Sequence, residues 1–319
     1  MGDRLPQPLI DKLCRAQCIR LIPPPANEVY HHALPPVTAS ACLSTVLMSA
    51  AVLAVRSTRN SQGEQKAKNG LENSIRRTSL LDVGRGQKLV IKIIKAEERY
   101  RFQNDWLSTY WLFSFDHYYD PTNISWGKLR VFNDDIVGPG RGFGLHPHSD
   151  MEIITYLLEG ELLHEDNAGN RGVLRAGYLQ RMTAGTGIAH SEYNYSKTSP
   201  LHLYQIWIEP KERGLKPSWQ QTDIGKVERE EVLLPVVTPD GKNGSVKIHQ
   251  DATIYLSSMK PGSKIAHNSK DHFFLYVTSG EVKLNGNSLA AGDQAKVSKE
   301  GKIVLDATKP SELIAIETI

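Results

Sequence analysis

Cysteine is nearly missing from this chain. Cys14, Cys18 and Cys42 all fall in the first fifth, and residues 43–319 contain none. A secreted domain stapled by disulfides would carry cysteines through its core, so the folded part is expected in a reducing, intracellular setting. No second Cys or His pair stands at zinc spacing from Cys14 and Cys18, which therefore read as ordinary thiols. A surplus of one charge is also missing. Thirty-eight Lys and Arg face 35 Asp and Glu, a net charge of +3. That is no clustered basic footprint, and no direct nucleic-acid binding is expected. Long windows of 3.6-residue periodicity are scarce, which argues against a helical architecture. Long apolar runs are scarce too. The single candidate, residues 39–55, contains Ser40, Ser44, Thr45 and Ser49 and falls short of the ~20 residues that span a bilayer. Followed by Arg56 and Arg59, it reads either as a marginal membrane or targeting segment or as part of an extension. It begins too deep in the chain for an ordinary signal peptide. The extension is the expectation, and the cytoplasm the expected location, with the nucleus or a membrane anchor through 39–55 as alternatives.

What the chain does have is a change of pattern. Residues 1–77 hold a proline cluster (Pro23, Pro24, Pro25, Pro35, Pro36), the apolar run and a polar stretch, and are expected to form a poorly ordered N-terminal extension. From about Ser79 short β-rich runs recur, separated by turn signals such as Asn167-Ala168-Gly169, Asp240-Gly241 and Asn285-Gly286. Such a pattern predicts an all-β fold of sandwiches or barrels. A weak internal repeat makes it two. Tyr156-Leu-Leu-Glu-Gly-Glu-Leu-Leu matches Tyr276-Val-Thr-Ser-Gly-Glu-Val-Lys in character, and Ala176-Gly177 and Ala291-Gly292 follow at comparable distances. The expected division is a first, metal-binding barrel over 78–209, a linker over 210–226 and a second barrel over 227–319. Trp219-Gln-Gln is expected to pack between the barrels.

Two short stretches carry the chemistry. His146 and His148 are two apart, so on a strand they share a face. His190 and Glu192 repeat the arrangement after Gly185 and Gly187. A lone His-x-His is often incidental, and a strand histidine is more often a satisfied core residue than a ligand. Two such pairs after glycine-rich approaches in one barrel point instead to a metal. Three imidazoles and a carboxylate suit first-row divalent ions and leave positions open on an ion that prefers six ligands.

These residues resemble a known family. Gly140-x5-His146-x-His148-x3-Glu152 is similar to the first cupin motif, and Gly187-x2-His190-x3-Asn194 to the end of the second. Leu129-Arg-Val-Phe-Asn-Asp-Asp, Gln180-Arg-Met-Thr-Ala-Gly185-Thr-Gly187 and His190-Ser-Glu192 look like the pirin family, from about Arg76 to the C-terminus. The resemblance implies two cupin jelly-roll barrels in tandem and a metal on His146, His148, His190 and Glu192. It gives Glu152, a ligand in many cupins, a supporting or structural role. One divalent transition metal is implied, iron first, with nickel, manganese, cobalt, copper or zinc as alternatives. The Asp150-Met-Glu152-Ile-Ile-Thr-Tyr wording is similar to the branch associated with quercetinase activity. That branch implies a dioxygenase taking a small aromatic flavonol and O2, with Glu192 as catalytic general base and Phe143, Leu145 and Met182 as pocket walls. The alternative is a redox-sensitive metal-binding module whose partner is a transcription factor. No matching site appears in the second barrel, where His267 and His272 are expected on the surface or in loops. That barrel is expected to be empty of metal and structural.

Overall fold

The computed structural model describes residues 78–83, 87–225, 228–299 and 301–319. Residues 1–77, with the apolar segment 39–55 and all three cysteines, lie outside the described residues. Apart from one 3-10 turn at Ala96–Glu98, the described elements are strands, and among them no helix is long and apolar enough to cross a membrane. The all-β expectation holds.

Each barrel pairs one large sheet with one four-stranded sheet. In the first barrel the large sheet runs, in spatial order, Ser218–Asp223, Tyr178–Thr183, Glu152–Glu159, Leu201–Ile208, Leu129–Val137, Leu107–Trp111, Tyr100–Gln103. Its small sheet runs Gly142–His148, Ile188–Asn194, Glu161–Asp166, Arg171–Arg175. In the second barrel His272–Ser279, Ser311–Thr318 and Ala252–Met259 form the middle of the large sheet. Its small sheet carries Lys264–Ser269, Gly301–Ala307, Glu281–Leu284 and Asn287–Ala290. The internal repeat read from sequence marks equivalent places. Glu152–Glu159 and His272–Ser279 end at Gly160 and Gly280, whose φ angles of +84° and +80° suit glycine.

Strand alternation divides the large sheet of the first barrel into two faces. Outward residues such as Phe132, Ile154, Tyr204 and Ile206 join Ile254, Phe274, Tyr276, Ile314 and Ile316 of the second barrel in one buried cluster. Phe132 lies 5.6 Å from Phe274 and 5.1 Å from Tyr276, ring to ring. The two large sheets are thus glued back to back by apolar burial. Facing inward, the first barrel holds two separate apolar clusters, one around Leu157, Leu162 and Leu203, the other around Ile153, Met182 and Ile188. A polar row divides them. The ladder sets Asn133 opposite Gln205, Gln205 opposite Thr155, and Thr155 opposite Gln180. All four are buried.

Two expected boundaries move. Thr78–Val83 and Gln87–Ile94 belong to the second barrel's large sheet, not the first barrel: Gln87–Ile94 is hydrogen-bonded to Gln294–Ser298. Ile91 and Ile93 close that barrel's core, and the pairing covers what would otherwise be an open sheet edge. Within the expected linker, Ser218–Asp223 is a strand of the first barrel, paired along Tyr178–Thr183. Trp219 lies flat against His164, ring centroids 5.5 Å apart, rather than between the barrels. The second barrel is filled rather than hollow: Phe273, Leu275, Val282, Leu284, Ile303 and Leu305 form a continuous apolar core. His267 and His272 sit on strands rather than in loops, each partly buried and beside Glu317 and Asp271 respectively.

Candidate metal centre

The strands Gly142–His148 and Ile188–Asn194 carry the four expected residues side by side. His190 pairs with His146 and Ile188 with His148, and a register shift then sets Glu192 opposite Phe143. This bulge on the strand Gly142–His148 keeps Phe143 on the same side as His146, three residues on, while Leu145, next to His146, points outward and is 73% exposed. Gly142 permits the close approach. A Cβ there would come within 2.2 Å of the Glu192 carbonyl oxygen.

The three histidines converge. Ring centroids are 4.7 Å apart for His146 and His148, 4.5 Å for His146 and His190, and 4.9 Å for His148 and His190. One ring nitrogen of each lies within 4.8 Å of the others. A second group of the same size joins His190 to His164 and Glu192. His190 is the hinge of both, and among the described residues both groups lie in the first barrel. Glu192 therefore meets the triad through His190 rather than standing symmetrically within it.

Hydrogen bonds choose which nitrogen each imidazole leaves free. His146 Nδ1 lies 2.6 Å from the Gly144 carbonyl oxygen, which can only accept, so Nδ1 carries the proton and Nε2 a lone pair. His190 is set by a relay. Asp166 accepts from His164 Nε2 at 3.3 Å, leaving His164 Nδ1 to accept from His190 Nδ1 at 3.4 Å. His190 Nε2 is then an acceptor, buried and without a hydrogen-bond partner. Burial alone would raise the Asp166 carboxyl, but donors from Asn170 and His164 hold it below the usual carboxylate range. Burial favours the neutral ring at His148 and His190. Burial, then His190 and His146, push His148 down to about 3 against the pull of Glu192. Burial, then His146 and His164, push His190 down to about 3 as well. Neutral imidazoles with free lone pairs are the ligating form.

Glu192 is buried and accepts from Thr155 Oγ1 at 3.2 Å, Gln180 Nε2 at 3.2 Å and Gln205 Nε2 at 2.8 Å. The polar row of the large sheet thus holds the carboxylate of the small sheet with neutral donors, leaving its charge uncancelled. An orphaned imidazole nitrogen beside neutral rings and an uncancelled buried carboxylate fits a divalent cation.

The four residues face a cavity of about 540 Å³. Phe102, Trp106, Trp111, Phe115, Phe143 and Trp207 supply its aromatic walls. Of the three walls expected from sequence, Phe143 is one. Leu145 turns outward, and Met182 is fully buried in the apolar cluster behind the site. Glu152 points the other way, toward the second barrel: it accepts from Thr183 Oγ1 of its own sheet at 3.1 Å and lies 3.4 Å from His249 Nδ1 of the second barrel. It is a fastening between barrels. On the opposite wall Asp135 is buried, and burial, with the charges of Asp134 and Glu192, pushes its carboxyl up to about 7 despite Thr109 and His202.

Sequence reasoning missed His164 and Asp166, Gln180 and Gln205, Thr155, and the Asn133–Asp135 pair. One signal was available. His164-x-Asp166 repeats the same-face spacing of the ligand pairs, and the ladder sets His164 opposite Glu192 and Asp166 opposite His190. The glutamines carry no such signal, since each belongs to a different strand and acts only through the ladder.

The chain matches the Pirin family model over residues 94–208 and the quercetinase C-terminal cupin domain model over residues 235–318. Quercetin 2,3-dioxygenase of Escherichia coli strain K12 is 40% identical over 230 residues, spanning 72% of this chain and 98% of that protein. A pirin-like protein of Caulobacter vibrioides is 40% identical over 215 residues, 66% of this chain and 92% of that one. The bacterial pirin YhhW of Escherichia coli, solved in complex with nickel(II), superposes with a TM-score of 0.68 at 40% identity, covering 72% of this chain and 98% of that one.

Proposed function

The chain belongs to the pirin family, and on that footing we propose that it is a metal-dependent dioxygenase opening a flavonol ring, that of quercetin or a close analogue, with O2. The observation that supports this reading is a triad of imidazoles, with Glu192 grouped beside His190, on an aromatic cavity of ligand size. His146, His148, His190 and Glu192 would hold one divalent transition metal, iron first, with nickel, manganese, cobalt, copper or zinc as the alternatives these donors accept. The bound ion would supply Lewis acidity toward the flavonol 3-hydroxyl and its neighbouring carbonyl.

The rest falls to the chain. Glu192 takes the 3-hydroxyl proton, and Gln205, Gln180 and Thr155 keep its carboxylate aimed while that proton moves. His164 and Asp166 hold the His190 ring at a fixed tautomer and angle. Phe143, Trp111 and Trp207 flank the flat ring and keep water off it. In the net reaction both oxygen atoms of O2 enter the product and one ring carbon leaves as carbon monoxide. A reducing cytoplasm is the setting this reading takes.

A purely regulatory, partner-binding role needs no cavity of this kind. Purified chain loaded in turn with Fe, Ni, Mn, Co or Cu is expected to bleach the quercetin absorption band under air and release carbon monoxide. Failure with every metal would end the enzyme reading and leave the transcription-factor partner as the alternative.

A further inference from the structure

We propose that Asn133 and Asp135 form a hydroxyl-reading subsite that selects substrates carrying phenolic hydroxyls on the ring remote from the metal; this deepens the flavonol reading and rests on it. Both residues lie on Leu129–Val137, two apart, so both side chains face the barrel interior. Each is 3% exposed and lines the cavity. The Oδ1 atom of Asn133 is buried and has no hydrogen-bond partner, and that of Asp135 has only the cross-strand Thr109 hydroxyl beside it, outside hydrogen-bond geometry. Buried acceptors are almost always satisfied, and leaving one unpaired costs more than a hydrogen bond gains. An unpaired amide oxygen and an under-satisfied carboxyl side by side on an otherwise aromatic cavity are therefore an address for donors.

Their position says which donors. Glu192 is held by Gln205, and Asn133 stands opposite Gln205 on the next strand, one ladder spacing of roughly 4.8 Å further from the metal residues. Asp135 lies two residues along the same strand, and Trp111 flanks Asn133 on the far side. A flat ligand anchored at the histidines and stacked between aromatic walls would bring its far ring to this pair. An anionic ligand would meet the Asp135 carboxyl and be disfavoured. A neutral polyphenol meets two acceptors. The indole N–H of Trp207, buried and likewise unpartnered, offers a donor to a ring oxygen on the same cavity.

The test compares two flavonols on the nickel(II)-loaded full chain by calorimetric titration. One is quercetin, with two hydroxyls on its pendant ring; the other is 3,5,7-trihydroxyflavone, which has none there. The wild-type chain is expected to bind quercetin about tenfold more tightly or better, the worth of a recovered hydrogen bond. Asp135→Leu and Asn133→Leu should each erode that preference. They should also hold or raise the thermal midpoint, because each removes an unsatisfied buried atom. Asp135→Val, smaller than leucine and likewise without an acceptor, repeats the comparison should a leucine variant fail to fold. Equal affinities in the wild-type chain, or variants that keep the preference, overturn the subsite and leave the flavonol reading standing. Loss of stability in the valine variant would mark the pair as structural and overturn it likewise. Binding of neither flavonol overturns both.

Discussion

At the scale of residues, the His-x-His and His-x-Glu spacings read correctly because a strand forces alternate side chains onto one face. What spacing cannot show is the company each ligand keeps. Glu192 draws donors from Thr155, Gln180 and Gln205, on three different strands, and no sequence pattern connects them. Those donors should matter. Gln205→Leu is expected to cost roughly 1–3 kcal/mol of stability by stripping a donor from a buried carboxylate. It should also weaken metal binding on the order of 10–100-fold, as loss of a supporting partner does elsewhere. Chelator competition measures the second effect and urea unfolding the first; an unchanged metal affinity would mean Glu192 is held some other way. Glu152 teaches the converse. Its motif position suggests a ligand, yet one residue of parity sends it to His249 in the other barrel.

At the scale of elements, the hairpin Glu281–Leu284 to Asn287–Ala290 was legible outright. Asn285-Gly286 is a two-residue turn with φ angles of +45° and +84°, the geometry that sequence favours. The bulge in Gly142–His148 was not legible, because Gly-Phe-Gly-Leu-His146 contains no residue that demands it. The close strand approach beside it depends on Gly142. Gly142→Ala would drive a methyl group against the Glu192 carbonyl and the Tyr193 backbone, which stands 2.6 Å from the Cβ position. A loss of about 1–3 kcal/mol is expected from such overpacking, together with reduced metal content. Gly144→Ala is the control, since its Cβ would meet only the Tyr193 hydroxyl at 3.6 Å. Equal thermal midpoints for the two variants would contradict the close approach.

At the scale of the molecule, two barrels were legible from the repeat, but their boundaries were not. Hydrogen bonding between Gln87–Ile94 and Gln294–Ser298 joins segments some two hundred residues apart, and nothing local announces it. A chain lacking residues 1–75 should keep its metal and its melting temperature. One lacking residues 1–95 should lose stability, because Ile91 and Ile93 leave the second core; equal stability would refute the shared sheet. A second consequence concerns pH. Lys296 is buried, with Nζ donating to Asn123 Oδ1 at 2.6 Å. Burial, aided by Lys92, pushes it from the usual 10.5 down to about 7. Between those values the unfolded chain binds a proton that the native chain does not, so this group makes stability rise with pH across that window. Urea midpoints at the two ends of the window should therefore differ less in Lys296→Met than in the wild-type chain. An identical difference in both would refute the assignment.

The metal content of natively expressed protein tests the centre most directly, read by elemental analysis on the wild-type chain and on His190→Ala. His190 belongs to both ligand groups, and its Nε2 is the buried atom left without a partner. About one transition-metal ion is expected per wild-type chain and almost none in a His190→Ala chain that still folds. A folded variant with its full complement of metal would contradict it.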